Sequence, residues 1–120
     1  MTIKNALAGV ASRNLDAAVP WYTRLIGRAP DDHPMPEVYE YSFPAGGWLQ
    51  IFIDASRAGS SSVTLTVDHL DDMIARLRSN GITCGEPTRS DYVDTSTLND
   101  PDGNQVILAE ARSTANRAAS

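Results

Sequence analysis

The chain is poor in the groups that most often carry chemistry. It has one cysteine, Cys84, and two histidines, His33 and His69. A lone thiol forms no internal disulfide, so a reducing, cytoplasmic setting is expected. No zinc pair, Gly-rich phosphate loop or nucleophile elbow occurs. Positive charge is also scarce: ten Lys and Arg against fifteen Asp and Glu leave a formal net charge of -5. That balance excludes the basic footprint with which proteins neutralise phosphates, so no nucleic-acid partner is expected. No apolar run approaches the ~20 residues of a membrane span. Met1 to Lys4 leads into mixed residues rather than an apolar signal core, and no membrane partner is expected.

What is present is an ordinary globular balance. Hydrophobic residues make up 42% and charged residues 21%, enough apolar content for a core beneath a charged surface. A chain of 120 residues suits one domain with a single core. Within it, one pattern occurs twice. Ile3 to Ser12 reads as a strand. Asn14 then caps a helix whose Leu15, Ala18, Val19, Tyr22, Leu25 and Ile26 share one face, and Gly27 stops it. Pro20 removes one backbone bond inside that helix and predicts a kink or a late start. Arg28 to Met35 reads as a short, irregular strand broken by prolines. Val38 to Phe43 and Trp48 to Ile53 form a hairpin across Pro44 to Gly47.

The second copy opens with the strand Ser62 to Val67. Asp68 is the expected cap of a helix that buries Leu70, Met73, Ile74 and Leu77 and closes at Gly81. Ile82 to Glu86, Val93 to Leu98 and Gln105 to Glu110 read as three further strands. Leu15 and Leu70 begin the matching helices 55 residues apart, and Leu7 and Ser62 in the opening strands keep that offset. The expectation is one domain over residues 1–110, with units of about 1–55 and 60–110. The small, polar segment 111–120 is expected to be a loose tail.

Strand alternation separates a core face from an open one. Leu49, Ile51 and Ile53, then Val63, Leu65 and Val67, then Val106 and Leu108 suit the core. If Phe43 opposes Trp48, then Tyr41 opposes Gln50 and Tyr39 opposes Phe52. Tyr39, Tyr41, Phe43, Trp48 and Phe52 would then form one aromatic wall on the open face. Gln50, Thr64, Thr95 and Thr97 complete the candidate ligand-binding set. Rings in strands often serve packing alone, and the same residues could fill space or form a dimer contact.

Asp100-Pro101-Asp102-Gly103-Asn104 is a dense turn signal before the strand Gln105-Val106-Ile107-Leu108. With Asn14 to Tyr22 and Leu25-Ile26-Gly27 near the other end, it resembles the two signatures of the vicinal oxygen chelate superfamily. That superfamily includes glyoxalase I, extradiol dioxygenases, fosfomycin-resistance enzymes and bleomycin-resistance proteins. The resemblance spans about Ile3 to Glu110. It implies an α+β fold in which two βαβββ units form a curved, mixed-sheet cup with the helices on the convex side.

The superfamily's enzymes hold a divalent metal through His, Glu or Gln on four strands. Carried over residue by residue, the resemblance places Leu7, Gln50, Ser62 and Ile107 at those positions. Hydrocarbon side chains offer a metal no lone pair, and only Gln50 is a credible donor. No metal and no cofactor are therefore expected. The remaining polar inventory is thin. His33 lies in a proline-rich segment where it could fold over the cup mouth as a base, and His69 starts the second helix. Cys84 has no local histidine partner. Asp31, Asp32, Glu37 and Glu40 form an acidic cluster that reads as a solvated rim open to a cationic compound.

The reading these features favour is a metal-free binding protein of the bleomycin-resistance type. It would be a homodimer holding a small, partly aromatic molecule, planar or cationic, in drug resistance or sequestration. The alternatives are a lyase, isomerase or dioxygenase-like enzyme with an atypical site, and a structural or regulatory dimer without a small ligand.

Overall fold

The computed structural model describes residues 2–112. Its elements follow the doubled pattern: β1 (Leu7–Ser12), α1 (Leu15–Ile26), β2 (Asp32–Met35), β3 (Val38–Ser42), β4 (Trp48–Ile53), then β5 (Ser62–Thr66), α2 (Leu70–Ser79), β6 (Val93–Asn99) and β7 (Gln105–Ala111). One sheet has the order β1-β4-β3-β2 and the other β5-β7-β6. In each, the unit's first and last strands pair in parallel and the last two antiparallel. The 55-residue offset holds at Leu7 and Ser62, at Leu15 and Leu70, and at Val38 and Val93. The fold is the α+β arrangement the doubled pattern implies.

The first helix behaves as its ends dictate. Asn14 accepts a hydrogen bond from Asp16 N–H at 3.0 Å, and Gly27 closes the helix at φ 91°, where a side chain would be strained. Pro20 sits within α1 without delaying its start at Leu15, so the expected late start does not occur. The second helix departs from expectation. His69, not Asp68, is its N-cap, without a side-chain bond; the Leu70 N–H is satisfied instead by Glu110 Oε1 of β7 at 2.9 Å.

Two further expectations need correction. Ile82–Glu86 is not a strand. The backbone of the segment after α2 bonds that of β6 only at Gly85 N–H to Thr97 C=O and at an isolated Thr88–Thr95 bridge among the described residues, so the second unit lacks the full strand that β2 supplies in the first. Ala111 belongs to β7, and Arg112 N–H bonds Tyr92 C=O, so the expected tail does not begin at 111. Its remaining residues, 113–120, lie outside the described residues.

The helices cover one face of the sheets. Ala18, Trp21, Tyr22 and Leu25 of α1 and Leu70, Ile74 and Leu77 of α2 share a single core with Leu49, Ile51, Val63, Val106 and Leu108. The helix ends are tied crosswise. Arg76 of α2 donates to the carbonyls of Arg24 and Leu25 at the end of α1, and Arg24 donates to the Asn80 carbonyl at the end of α2. Each cation thus meets the negative end of its neighbour's dipole.

The turn before β7 joins the units. The Asn104 side chain is buried. Its Oδ1 accepts from Gly59 N–H at 2.8 Å and Ser61 N–H at 2.9 Å, and its Nδ2 donates to Ala11 C=O at 2.7 Å and Asp100 Oδ2 at 2.9 Å. Asp100 accepts from the N–H groups of Asp102 and Asn104, and from Tyr22 O–H at 2.6 Å. Leaving any one of these buried groups unpaired would cost about 1–3 kcal/mol.

Burial first, then the hydrogen bond to Asp100 and its charge, hold the Tyr22 hydroxyl far above the ordinary phenol value. A group raised in the folded state contributes stability that is complete below its unfolded pKa and is lost as pH rises past it. For tyrosine that window opens near about pH 10. Tyr22→Phe should be less stable than the parent by about 1–2 kcal/mol at neutral pH. Urea unfolding above about pH 10 should then show the gap closing, because only the parent must keep Tyr22 protonated to stay folded. A gap that stays constant with pH would contradict this role for Tyr22.

Candidate functional site

The hairpin decides which side chains reach the open face. Its last pair is Ser42 with Trp48, followed by Tyr41 with Leu49, Glu40 with Gln50, Tyr39 with Ile51 and Val38 with Phe52. The loop therefore spans Phe43 to Gly47, one residue more than the expected four. It is closed by Phe43 N–H to Gly47 C=O and Gly46 N–H to Phe43 C=O, with Gly46 at φ 103°. A shift of one residue turns a whole strand over.

The expected aromatic wall is accordingly corrected. Tyr41 is fully buried beneath α1, where its hydroxyl meets Thr23 Oγ1 at 2.8 Å and Val19 C=O at 3.3 Å. Burial pushes its hydroxyl above the usual value, against the opposing pull of the Thr23 bond. Tyr39 shares that face and stacks on His33, with ring centroids 3.8 Å apart. It borders a small polar hollow with Asn14, Pro36 and Ile53 at the start of α1, and His33 is spent on this stack.

Trp48, Gln50 and Phe52 of β4 do face away from the helices, in register with Leu7, Gly9 and Ala11 of β1. Glu40 replaces Tyr41 opposite Gln50 and accepts a hydrogen bond from the Gln50 amide. It forms no salt bridge among the described residues. The Phe52 ring lies over Gly9, where a Cβ would come within 3.1 Å of it, and Arg57 stands 5.6 Å from its centroid. On the second sheet, pairing puts Ser62, Thr64 and Thr66 on one face with Gln105, Ile107 and Ala109 and with Thr95, Thr97 and Asn99.

Between the sheets lies a cleft of ≈ 610 Å³. The β1 end (Ala6 to Ala8), the hairpin tip with Phe43 and Trp48, and β5 with Val63 to Thr66 form its walls, and Asp68 is its one ionisable side chain. Of the candidate residues, Phe43, Trp48 and Thr64 meet here. Gln50, Phe52, Thr95 and Thr97 lie on the helix-free faces outside the cleft walls, while Tyr39 and Tyr41 lie elsewhere. Leu7, Thr66 and Asp68 are cleft residues the sequence reading did not select. Thr66 was detectable, since it alternates with Thr64. Asp68 was not, because helix capping offered a sufficient role.

The remaining sequence candidates are accounted for locally. Cys84 is buried, and burial raises its thiol above the ordinary value. Asp31 of the acidic cluster is held below the usual carboxylate range, first by its hydrogen bond to Arg28 and then by Ser42 N–H.

The comparisons match this architecture. The Glyoxalase/Bleomycin resistance protein/Dioxygenase superfamily matches residues 5–108. The chain belongs to that superfamily. Among curated proteins none matches it. Among solved structures, a glyoxalase/bleomycin resistance protein from Catenulispora acidiphila is 28% identical, with a TM-score of 0.82 over 90% of this chain and 98% of that one. An antibiotic-binding protein, TnmS3 of a Streptomyces species, is 22% identical with a TM-score of 0.77, over 93% and 99% of the two chains. A bleomycin-binding protein complexed with bleomycin is 20% identical with a TM-score of 0.75, over 92% and 100%. The last two likenesses concern the fold.

The superfamily's metal finds no fitting ligand set here. Leu7, Gln50, Ser62 and Ile107 all lie on the helix-free faces, but two are hydrocarbon and the Gln50 amide is engaged by Glu40. Among the described residues no group of three or more His, Cys, Asp or Glu could hold an ion.

Tyr41→Phe separates the core role from a binding role. It should lower stability in urea by about 0.5–1.5 kcal/mol and leave unchanged the affinity of any probe that quenches Trp48. A loss of affinity would return Tyr41 to the site.

Proposed function

We propose that this protein binds a small, partly aromatic molecule in the cleft between its sheets and acts by holding it, in sequestration or drug resistance. The observation that carries this reading is the cleft itself. It has the size of a drug-sized site, with rings and aliphatic walls and a few polar groups. Asp68 is the one ionisable side chain among its lining residues, so the lining suits retention better than acid–base turnover. The bleomycin complex of a protein with the same fold supports a small-molecule role.

The same reading takes the protein as a metal-free homodimer in the cytoplasm. Leu7 is 48% exposed on the helix-free face, where Trp48 and Phe52 are half-buried. A second copy would cover this apolar surface and deepen the cup. Native mass spectrometry of protein purified without chelator should give about twice 12.9 kDa and no stoichiometric divalent ion. A monomer would count against the dimer. A stoichiometric metal lost on Gln50→Ala would overturn the reading of the site.

The direct test is a fluorescence titration against planar aromatic antibiotics and dyes. A ligand stacking at Trp48 should quench its emission, and Trp48→Ala should weaken binding by about 0.5–1.5 kcal/mol beyond the lost area. Trp21, on the buried face of α1, serves as the control, since its replacement should change stability rather than affinity. If no planar compound perturbs Trp48, the binding role is wrong.

A further inference from the structure

The turn after α2 carries a chemistry that the cleft does not use. Of the chain's asparagines, only Asn80 is followed by glycine. An asparagine in that position reacts with its own main chain. The nitrogen of the next residue attacks the side-chain carbonyl carbon, and ammonia leaves as a five-membered succinimide closes. Water then opens the ring at either carbonyl. Opening at the side-chain carbonyl yields aspartate on an unchanged main chain. Opening at the other yields isoaspartate, whose main chain runs through the side-chain carbon. Glycine favours the attack because no Cβ shields its nitrogen.

Asn80 is exposed, and its side-chain amide makes no hydrogen bond among the described residues. Access is therefore no obstacle, but the main chain is. Asn80 is the C-cap of α2, at φ -95° and ψ 12°. At that ψ the Gly81 nitrogen nearly eclipses Asn80's own nitrogen, while the side chain leaves Cα a third of a turn away. Ring closure requires the Gly81 nitrogen to swing round to the side chain. The bonds of the turn oppose that swing. Asn80 N–H donates to Arg76 C=O at 3.1 Å and Leu77 C=O at 3.0 Å, Gly81 N–H to Arg78 C=O at 3.1 Å, and Ile82 N–H to Leu77 C=O at 2.9 Å. From α1, Arg24 Nη1 donates to the Asn80 carbonyl at 3.3 Å. Ile82, buried in the core, fixes the far end of the turn.

We propose that Asn80–Gly81 is a self-modifying joint. The closed end of α2 and Arg24 hold back its conversion to isoaspartate, which proceeds only when this closure opens. The reaction takes up water, releases ammonia and needs no ligand in the cleft. Isoaspartate adds a carbon to the main chain between the Asn80 Cα and the Gly81 nitrogen. Gly81 and Ile82 then no longer meet Arg78 and Leu77 in register. The former Asn80 carbonyl becomes a free carboxylate that Arg24 still holds, but the turn behind it does not re-close.

The test incubates the intact protein at mildly alkaline pH, folded and in guanidinium chloride. Peptide mass spectrometry reads each asparagine, with aspartate and isoaspartate products separated by chromatography. In denaturant Asn80 should convert faster than Asn5, Asn14, Asn99 and Asn104. In the folded protein it should convert about tenfold or more slowly than in denaturant, as expected of a reaction confined to local opening. Arg24→Gln, at an exposed position, should speed the folded reaction about threefold, the effect of one lost hydrogen bond to the turn. In purified isoaspartyl protein the Ile82 N–H should exchange about tenfold faster than in the parent. Asn80→Asp, which has the charge without the added carbon, should stay close to the parent.

Equal rates in folded and denatured protein, or an Arg24→Gln rate equal to the parent's, overturn the gating. If Arg24→Gln does not fold, the folded and denatured parent decide it. No conversion of Asn80 in denaturant, or earlier conversion of another asparagine there, removes the site. Unchanged Ile82 exchange in the isoaspartyl protein, or equally fast exchange in Asn80→Asp, overturns the role of the added carbon.

Discussion

The side chain of Asn104 is the constraint on which the architecture rests. Its amide joins three pieces of chain far apart in sequence: β1 at Ala11, the linker at Gly59 and Ser61, and its own turn at Asp100. Asp100 extends the same network to Tyr22 of α1. Every group of this amide is satisfied in a buried setting, where hydrogen bonds are strong and an unpaired partner is costly. The network fastens the two sheets at one end. Because it acts only there, the edges of β1 and β5 remain apart beyond it, and the cleft is the space so left.

Much of this was legible in the sequence, for local reasons. Asn14 and Gly27 mark the ends of α1 because capping and left-handed closure depend on residues adjacent in the chain. The shared offset of the two opening strands and two helices revealed the duplication. The turn Asp100 to Asn104 identified the superfamily, and its residues are now seen to be the fastening between the units. The core alternation of Leu49 and Ile51, and of Val106 and Leu108, also emerged from pattern alone.

What was illegible depended on parity or on distant partners. The loop at Phe43 to Gly47 contains the Pro and Gly of a shorter turn, and the backbone bonds that add Phe43 to it leave no trace in composition. That single residue sent Tyr39 and Tyr41 to the helix side and brought Glu40 onto the open face. Asp68 looked like a cap because caps are usually local, but the Leu70 N–H is satisfied by Glu110, 40 residues further along the chain. Ile82 to Glu86 has the composition of a strand but too few ladder bonds to form one. The cleft as a whole arises from the relative placement of two units, which no pattern within either unit encodes.

The crossed arginines at the ends of α1 and α2 give the contact between the units the character of a handshake between near-equals. Each half offers a cation and receives one, as the two sides of an isologous interface do. Two such halves recognise each other by the same rule, whichever chain supplies them. The peptide link through residues 54–61 sets the local concentration of one half around the other, beside the bonds that its Gly59 and Ser61 make to Asn104. Exchange of whole halves between neighbouring molecules would conserve every one of these contacts, which makes the linker, more than the interface, the element that keeps the two halves of one chain together.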